Sequence, residues 1–459
     1  MKILPLAALL AALAANGLHA ADAVSAAPGK TRPAAKSERQ SRAAEVAAAA
    51  TAANSELPAG QVAYQVLLAE IALRRGYADL ATSLYAELAL RSRDPQIFPR
   101  AVEVAGYARR LDMAQELALL WVESEPDSMQ ARQTLVGVMV VLNRLDELAP
   151  HLEILLEQDK ASLGDNLVRL NRMLSRQQDK LAVQRLVEQV TQPYTKVAEA
   201  HYARAQAAMA AGDQARALES VHKAQELRPD WELPVLLEAQ LLSGDSSKRV
   251  IALLERYLSR YPAAKDVRLH LARAYVGEKR YSDASGEFRR LLKDFPDSVE
   301  VVYPVAILAL QQNDLDTAET QLKHLLDLDF GDRSVVNFYL GQIMESRHKD
   351  DEALAYYADV GPGETFLNAR SRQAALLARH DRLDEARSLL QKTATAVPGE
   401  RVALTQAEAQ LLRDAKRYQE ALDLLEQALK KQPASAELLY DAALLADRLD
   451  KVGLVESHL

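Results

Sequence analysis

The 459-residue chain has no cysteine. That excludes a disulfide, a thiolate nucleophile and a Cys-ligated metal. It also removes the lipidated cysteine that anchors exported lipoproteins. Aromatic residues are scarce, at 5%. With 49% hydrophobic residues overall, the apolar content is Ala and Leu, which favour helices, rather than the β-branched and aromatic types that favour strands. Beyond the N-terminus no run approaches the roughly 18 apolar residues of a membrane helix. The strongest candidate, Val299–Leu310, contains Glu300 and Pro304 and reads as a buried helix.

Excess positive charge is missing too. The net charge is -8, and the first 60 residues hold six Lys/Arg against four Asp/Glu, so the remainder carries -10. An acidic chain without a basic face is not built for nucleic acid. Catalytic signatures are absent as well: no GxxxxGK[ST], GxGxxG or GxSxG occurs. Beyond His19, the histidines are His151, His201, His222, His270, His324, His348, His380 and His458, and no two lie three to five residues apart. No helical metal pair is therefore formed. The sequence predicts no enzyme, no metal and no cofactor.

Residues 1–20 read as a signal peptide, with Lys2, an apolar run from Ile3 to Ala15, and Leu18-His19-Ala20 as a cleavable end. The alternative is an anchor that is retained. Residues 21–60 form an Ala-rich linker whose Lys30, Arg32, Lys36, Arg39 and Arg42 offer weak contact to anionic lipid or an acidic partner, or act only as a solvated spacer. Within it, Ser41–Asn54 has high helix propensity but almost no apolar face, which predicts a helix only when docked.

The remainder, 61–459, keeps a beat. Ala217, Ala284, Ala318, Ala353, Ala386 and Ala421 recur at multiples of about 34 residues, with Ala114 in step. Pro229, Pro262, Pro296, Pro398 and Pro433 keep the same period. Such a period means stacked copies of one unit. In the copy Lys265–Pro296, Leu271, Ala272 and Tyr275 share one face of a first helix. Lys279-Arg280-Tyr281 makes the turn, and Ala284, Phe288 and Leu291 share one face of a second helix. Small residues at 272 and 284 let the two helices approach. Gly212 suits a left-handed helix end. Tyr85, Trp121, Phe288 and Tyr357 fall on core positions, and Trp231 is placed to staple a helix start. Gly361-Pro362-Gly363 reads as a turn between units, and Arg347–Glu352 as a solvated charge run. Residues 129–197 are degenerate. In the last unit, Leu444, Leu445, Leu454 and Val455 are expected to lack a covering layer, as in a truncated chain or a docking end.

This pattern resembles the tetratricopeptide repeat. Leu271-Ala272, Tyr275, Ala284, Phe288 and Pro296 match its positions seven, eight, eleven, twenty, twenty-four and thirty-two. The resemblance implies an all-α, right-handed superhelical solenoid of about eleven to twelve helix–turn–helix units, the last incomplete. It also implies that first helices line a concave groove that binds protein. Its groove positions fall on Glu199, Tyr202, Gln206, Asp266, Leu269, Arg273, Glu300, Tyr303, Ile307, Phe338, Gln342, Glu345, Ser371, Arg379, Gln406, Gln410 and Arg413. Tyr202, Gln206, Arg273, Tyr303, Phe338, Gln342 and Arg413 are the foremost, since aromatic and Arg side chains dominate interface energetics.

Three segments are more particular: Gln65–Ala72, Arg91–Pro95 and Ala118–Pro126. They are similar to LbcA-type envelope adaptors of Gram-negative bacteria. That resemblance implies a periplasmic scaffold that holds a C-terminal processing protease and presents peptidoglycan hydrolases to it. Without a lipidated cysteine, any outer-membrane association must arise in another way. The competing expectation is a structural subunit of an envelope secretion, pilus or polysaccharide-export machine.

Overall fold

The computed structural model describes residues 58–458, apart from 245 and 329. The predicted leader, almost all of the linker and the predicted docked helix Ser41–Asn54 lie outside the described residues. Among the described residues there are 24 α-helices and no strand.

The helices alternate as first and second members of hairpins. The opening pairs are α1 (Ala59–Arg74) with α2 (Ala78–Ser92), α3 (Phe98–Tyr107) with α4 (Leu111–Ser124), and α5 (Met129–Val141) with α6 (Leu145–Gln158). Next come α7 (Leu163–Met173) and α8 (Lys180–Thr191), α9 (Ala198–Ala210) with α10 (Gln214–Leu227), and α11 (Glu232–Leu242) with α12 (Ser247–Arg260). The chain divides into two compact units, and the boundary, between His270 and Leu271, falls inside α13 (Lys265–Gly277). The second unit continues through α14 (Tyr281–Asp294), α15 (Val299–Gln311), α16 (Leu315–Asp327), α17 (Arg333–Ser346), α18 (Asp350–Ala358), α19 (Phe366–Arg379) and α20 (Leu383–Ala396). It closes with α21 (Arg401–Asp414), α22 (Tyr418–Leu429), α23 (Ala436–Arg448) and α24 (Val452–His458).

One backbone device sets the hairpins. The residue after a first helix adopts positive φ at Gly76, Arg109, Asn143, Gly212, Lys279, Asn313, His348, Asp381, Lys416 and Asp450. At each, its N–H and the next one close back onto the helix end, as in Asn313 N to Leu310 O at 3.1 Å and Asp314 N to Ala309 O at 2.8 Å. These are the paired bonds that satisfy orphan carbonyls at a left-handed helix end. The following residue then starts the second helix. Asp213 and Asp314 cap it with their side chains, and Arg144, Arg280, Arg382 and Arg417 instead pair with a carboxylate three residues on.

Small residues close most hairpins. Ala81, Ala114, Ala217, Ala284, Ala318, Ala353, Ala386 and Ala421 are all fully buried, as are the core rings Tyr85, Trp121, Phe288 and Tyr357 to within 2% exposure. Gly341 marks the closest approach: a Cβ there would lie 2.6 Å from the Tyr357 ring. The apolar stretch over Val299–Leu310 is α15, buried along most of its length, with Pro304 inside the helix.

Three expectations need correction. The degenerate span 129–197 is not uniform: α5 and α6 pack as an ordinary hairpin, and the irregularity is confined to α7 and α8. These two barely touch; α7 packs on α9, while α8 packs on α6 and α9. Leu445 is not uncovered but 1% exposed, packed with Ala442 and Ala446, and Leu454 and Val455 are partly buried against the same core. Leu444 does stay open, at 47%. Finally, Arg347–Glu352 is not simply solvated. Arg347 pairs with Asp316 and Glu319 of α16, and Asp350 pairs with His380 at 2.7 Å, so both tie hairpins together.

Candidate protein-binding face

Successive first helices in each unit are joined by side chains one repeat apart. In the first unit Asn171 of α7 donates to Ala203 O at 2.7 Å and Gln206 Oε1 at 3.4 Å. Glu232 of α11 accepts from the backbone N–H groups of Asp266 and Val267 at 2.9 and 3.1 Å, capping α13 from its neighbour. In the second unit Glu345 of α17 accepts from Arg372 and Arg379 of α19 at 3.0 and 3.1 Å, and from the Tyr357 hydroxyl at 2.8 Å. Gln406 of α21 donates to Asp441 of α23 at 2.8 Å, and Arg413 lies 3.8 Å from the same carboxylate.

The reason lies in the period. Residues about 34 apart occupy equivalent places on neighbouring copies, so side chains at those places meet. The result is a run of amide, carboxylate and guanidinium groups held half-buried and oriented by one another. Groups fixed in this way lose little freedom when they bind a peptide backbone.

The foremost sequence candidates separate into two kinds. Tyr202 and Phe338 are core side chains, 7% and 4% exposed. The Tyr202 ring lies 5.0 Å from Trp231, its hydroxyl accepts from Gln206 at 3.2 Å, and burial raises its phenol pKa. Phe338 packs between Tyr339 and Tyr357 at 5.7 and 6.1 Å. Neither ring is open to a partner. Neighbouring rings enclose both side chains, whereas Tyr303, at the same place in its own copy, stays half-buried.

Gln206, Arg273, Tyr303, Gln342 and Arg413 remain half-buried and reachable. Gln206 and Arg413 belong to the side-chain links just described. Arg273 carries a buried Nε with no hydrogen-bond partner among the described residues. A buried guanidinium N–H costs free energy until something accepts from it. Tyr303 stacks on Phe330 at 5.2 Å, and burial, followed by the nearby Tyr339, Asp332 and Glu364, raises its phenol pKa. Tyr339 is pushed up to about 12 by burial and by Glu364. Both hydroxyls therefore stay neutral and can donate at physiological pH.

Sequence reasoning missed Asn171, Glu232 and Asp441. Their signal was available: each is polar, and each has a polar partner one period along. It missed the Phe330–Tyr303 pair because Phe330 stands where other copies carry the terminating proline, a place read only as a helix stop. It also missed a cavity of about 330 Å³ between α10, α11 and α12, where the buried Tyr257 hydroxyl has no hydrogen-bond partner among the described residues.

Among the described residues no group of three or more His, Cys, Asp or Glu is placed to hold a metal ion, and no helix is long and apolar enough to cross a membrane.

Comparison with known proteins adds the following. Tetratricopeptide-repeat family models match residues 248–301 and 407–453. The TPR repeat-containing protein PA4667 of Pseudomonas aeruginosa is 27% identical over 400 residues, covering 86% of this chain and 67% of that protein. Among solved structures, the Cut9 and Hcn1 hetero-tetramer of the APC/C is 14% identical, with a TM-score of 0.31, over 88% of this chain and 92% of that one. A structure of pilF from Pseudomonas aeruginosa is 16% identical, with a TM-score of 0.33, over 45% of this chain and 94% of that one. Structural likenesses this weak carry no weight for function.

Proposed function

Because the chain carries tetratricopeptide repeats, we propose that it works as a protein-binding scaffold, and more narrowly as an exported adaptor that holds a C-terminal processing protease and presents peptidoglycan hydrolases to it. The observation that carries the scaffold reading is the set of oriented polar side chains that link successive first helices within each unit, such as Asn171 with Gln206 in the first and Glu345 with Arg372 and Arg379 in the second. The carbonyls and N–H groups of a bound polypeptide could pair with such side chains. Support for the narrower reading comes from the resemblance over residues 65–126 together with the predicted export signal. Many of the residues in those segments, such as Ala69, Ala118 and Trp121, are core.

The test is affinity capture of the intact chain from Gram-negative envelope extract, read by mass spectrometry. Recovery of a C-terminal processing protease is the expected result. Recovery of an outer-membrane secretion, pilus or export complex in its place would replace the adaptor reading with the assembly-subunit one. An Arg273→Ala/Gln342→Ala variant should lose roughly tenfold in capture while keeping its helical spectrum. Unchanged capture by that variant would remove the first-helix face from the binding site.

A further inference from the structure

α1 exposes a face that stays covered or partly covered in the other first helices that end in the same left-handed turn. The left-handed turn residue gives a common register. Twelve, eight and five residues before it stand Val301, Val305 and Leu308 in α15, at 0%, 4% and 1% exposure. In α23 the same places hold Leu438, Ala442 and Leu445, at 1%, 0% and 1%. None of these places is exposed in α3, α5, α9, α13, α17, α19 or α21 either. Within each unit they belong to helices that pack on the second helix of the preceding hairpin, as α15 packs on α14 and α23 on α22. In α1 they hold Tyr64, Leu68 and Ile71, at 66%, 38% and 48%, and Leu67 beside them is 62% exposed.

A stripe of four large apolar side chains on one helix is the kind of surface that marks an interaction site. Its shape is already defined by the repeat: it fits a second helix. Most such helices in this chain, though not α6 with Leu148 or α24 with Val455, place an alanine five positions after the turn and then at least one large apolar residue nine or twelve positions after it. Examples are Ala81-Tyr85-Leu88, Ala284-Phe288-Leu291 and Ala318-Leu322-Leu325. The chain's own preceding residues offer Ala47, Thr51 and Asn54 in that register, and Val46 is the one large apolar residue from 43 to 54. That sequence is too small and too polar to fill the space. The charge on the face also points outward. α1 has no acidic residue in its first turn, and its single carboxylate, Glu70, is held by Arg100 and Tyr85. Arg74 and Arg75 stand exposed at its C-terminal end.

We propose that the open face of α1 is the docking site for an amphipathic helix of another protein, one that presents a small residue and then large apolar residues at four- and three-residue spacings, with a carboxylate that reaches Arg74 or Arg75. The partner helix continues the array by one element and covers Tyr64, Leu67, Leu68 and Ile71. This surface is separate from the side-chain run on the first helices. Failure here leaves the scaffold reading standing, and the reverse also holds.

The test uses the full chain and a labelled 16-residue synthetic helix carrying that apolar spacing and two Glu at one end. Fluorescence anisotropy should show saturable binding, and a peptide with the same composition in scrambled order should not bind. Leu67→Asp/Ile71→Asp should weaken binding at least about tenfold. Arg74→Glu/Arg75→Glu changes only exposed side chains, and should weaken it roughly threefold at low salt, with less effect at high salt. Absence of saturable binding, or affinity untouched by both variants, overturns the proposal. So does a photo-crosslinker at position 64 that captures residues 21–57 of the same chain, or a second copy of it, because the face would then already have its cover.

Discussion

The pair α15–α16 is richer in apolar residues than the pair α7–α8, and the two pairs also place those residues differently. In α15–α16 the small residues Ala306 and Ala318 are both fully buried, and Leu322 and Leu325 fill the space around them. Shape closes this hairpin. In α7–α8 no pair of small residues faces across the turn, and the apolar side chains Leu167, Leu170, Val183 and Val187 are spent on neighbouring hairpins. Hydrogen bonds tie the turn between α7 and α8 and the start of α7 to the preceding hairpin instead. Gln177 donates to Val140 O at 2.7 Å, and Asn166 donates to Asp159 at 2.9 Å. The contrast teaches that a hairpin closes where enough apolar side chains meet across the turn with complementary shapes: Ala306 and Ala318 do this in α15–α16, Val136 and Leu148 at the same places in α5–α6, and no such pair does in α7–α8.

The sharpest way to break this comparison is Leu322→Ala. It removes a fully buried side chain from the shape-closed pair and should destabilise the second unit by ~2–5 kcal/mol in denaturant unfolding. A loss below about 1 kcal/mol would show that shape does not hold this hairpin. Next comes Ala306→Leu, which forces a branched side chain between α15 and α16. Strain of ~1–3 kcal/mol is expected, read as a lowered Tm. Native-state amide exchange compares the two pairs directly. Amides of α7 and α8 should exchange roughly tenfold faster than those of α15 and α16, since local stability follows local packing. Equal protection would erase the distinction.

Gln177→Ala tests the polar side of the comparison. It leaves Val140 O without its donor in a site where Gln177 is only 7% exposed, and should cost about 1 kcal/mol. The smallest effect is a pH response. Asp159 is held below the usual aspartate range, chiefly by Asn166 and then by Ser162, with burial opposing them. A carboxylate with a depressed folded pKa contributes stability above its unfolded value, and that stability is lost as pH falls through the folded value. Amide exchange in α7 should therefore quicken below about pH 4. An Asp159→Asn variant should show a flatter response there. A higher-amplitude counterpart lies at α1, where Arg100 and Tyr85 draw Glu70 down to about 2, so its contribution persists to lower pH than that of an ordinary glutamate.

Much of the hairpin pattern was legible because one period carries many constraints together. Ala284, Phe288 and Pro296 had to agree in phase, and so did their counterparts elsewhere. Groove residues were less legible. Tyr202 and Phe338 occupy the same nominal position as Tyr303, yet they are buried while Tyr303 is half-exposed. Position within a repeat fixes the direction of a side chain to within a turn of helix, whereas exposure depends on the size of its neighbours. Trp231 beside Tyr202, and Tyr339 and Tyr357 beside Phe338, are the neighbours that close those two sites.

By itself the sequence determined helix content, the beat of the hairpins and the places of their turns. These depend on propensity and on residues close along the chain. Only the tertiary structure decided that α7 and α8 part company, that Asp441 meets Gln406, and that Tyr64, Leu68 and Ile71 stand open where their counterparts are covered. Each of those outcomes depends on which side chain arrives from the neighbouring repeat, and packing between elements is where that is settled.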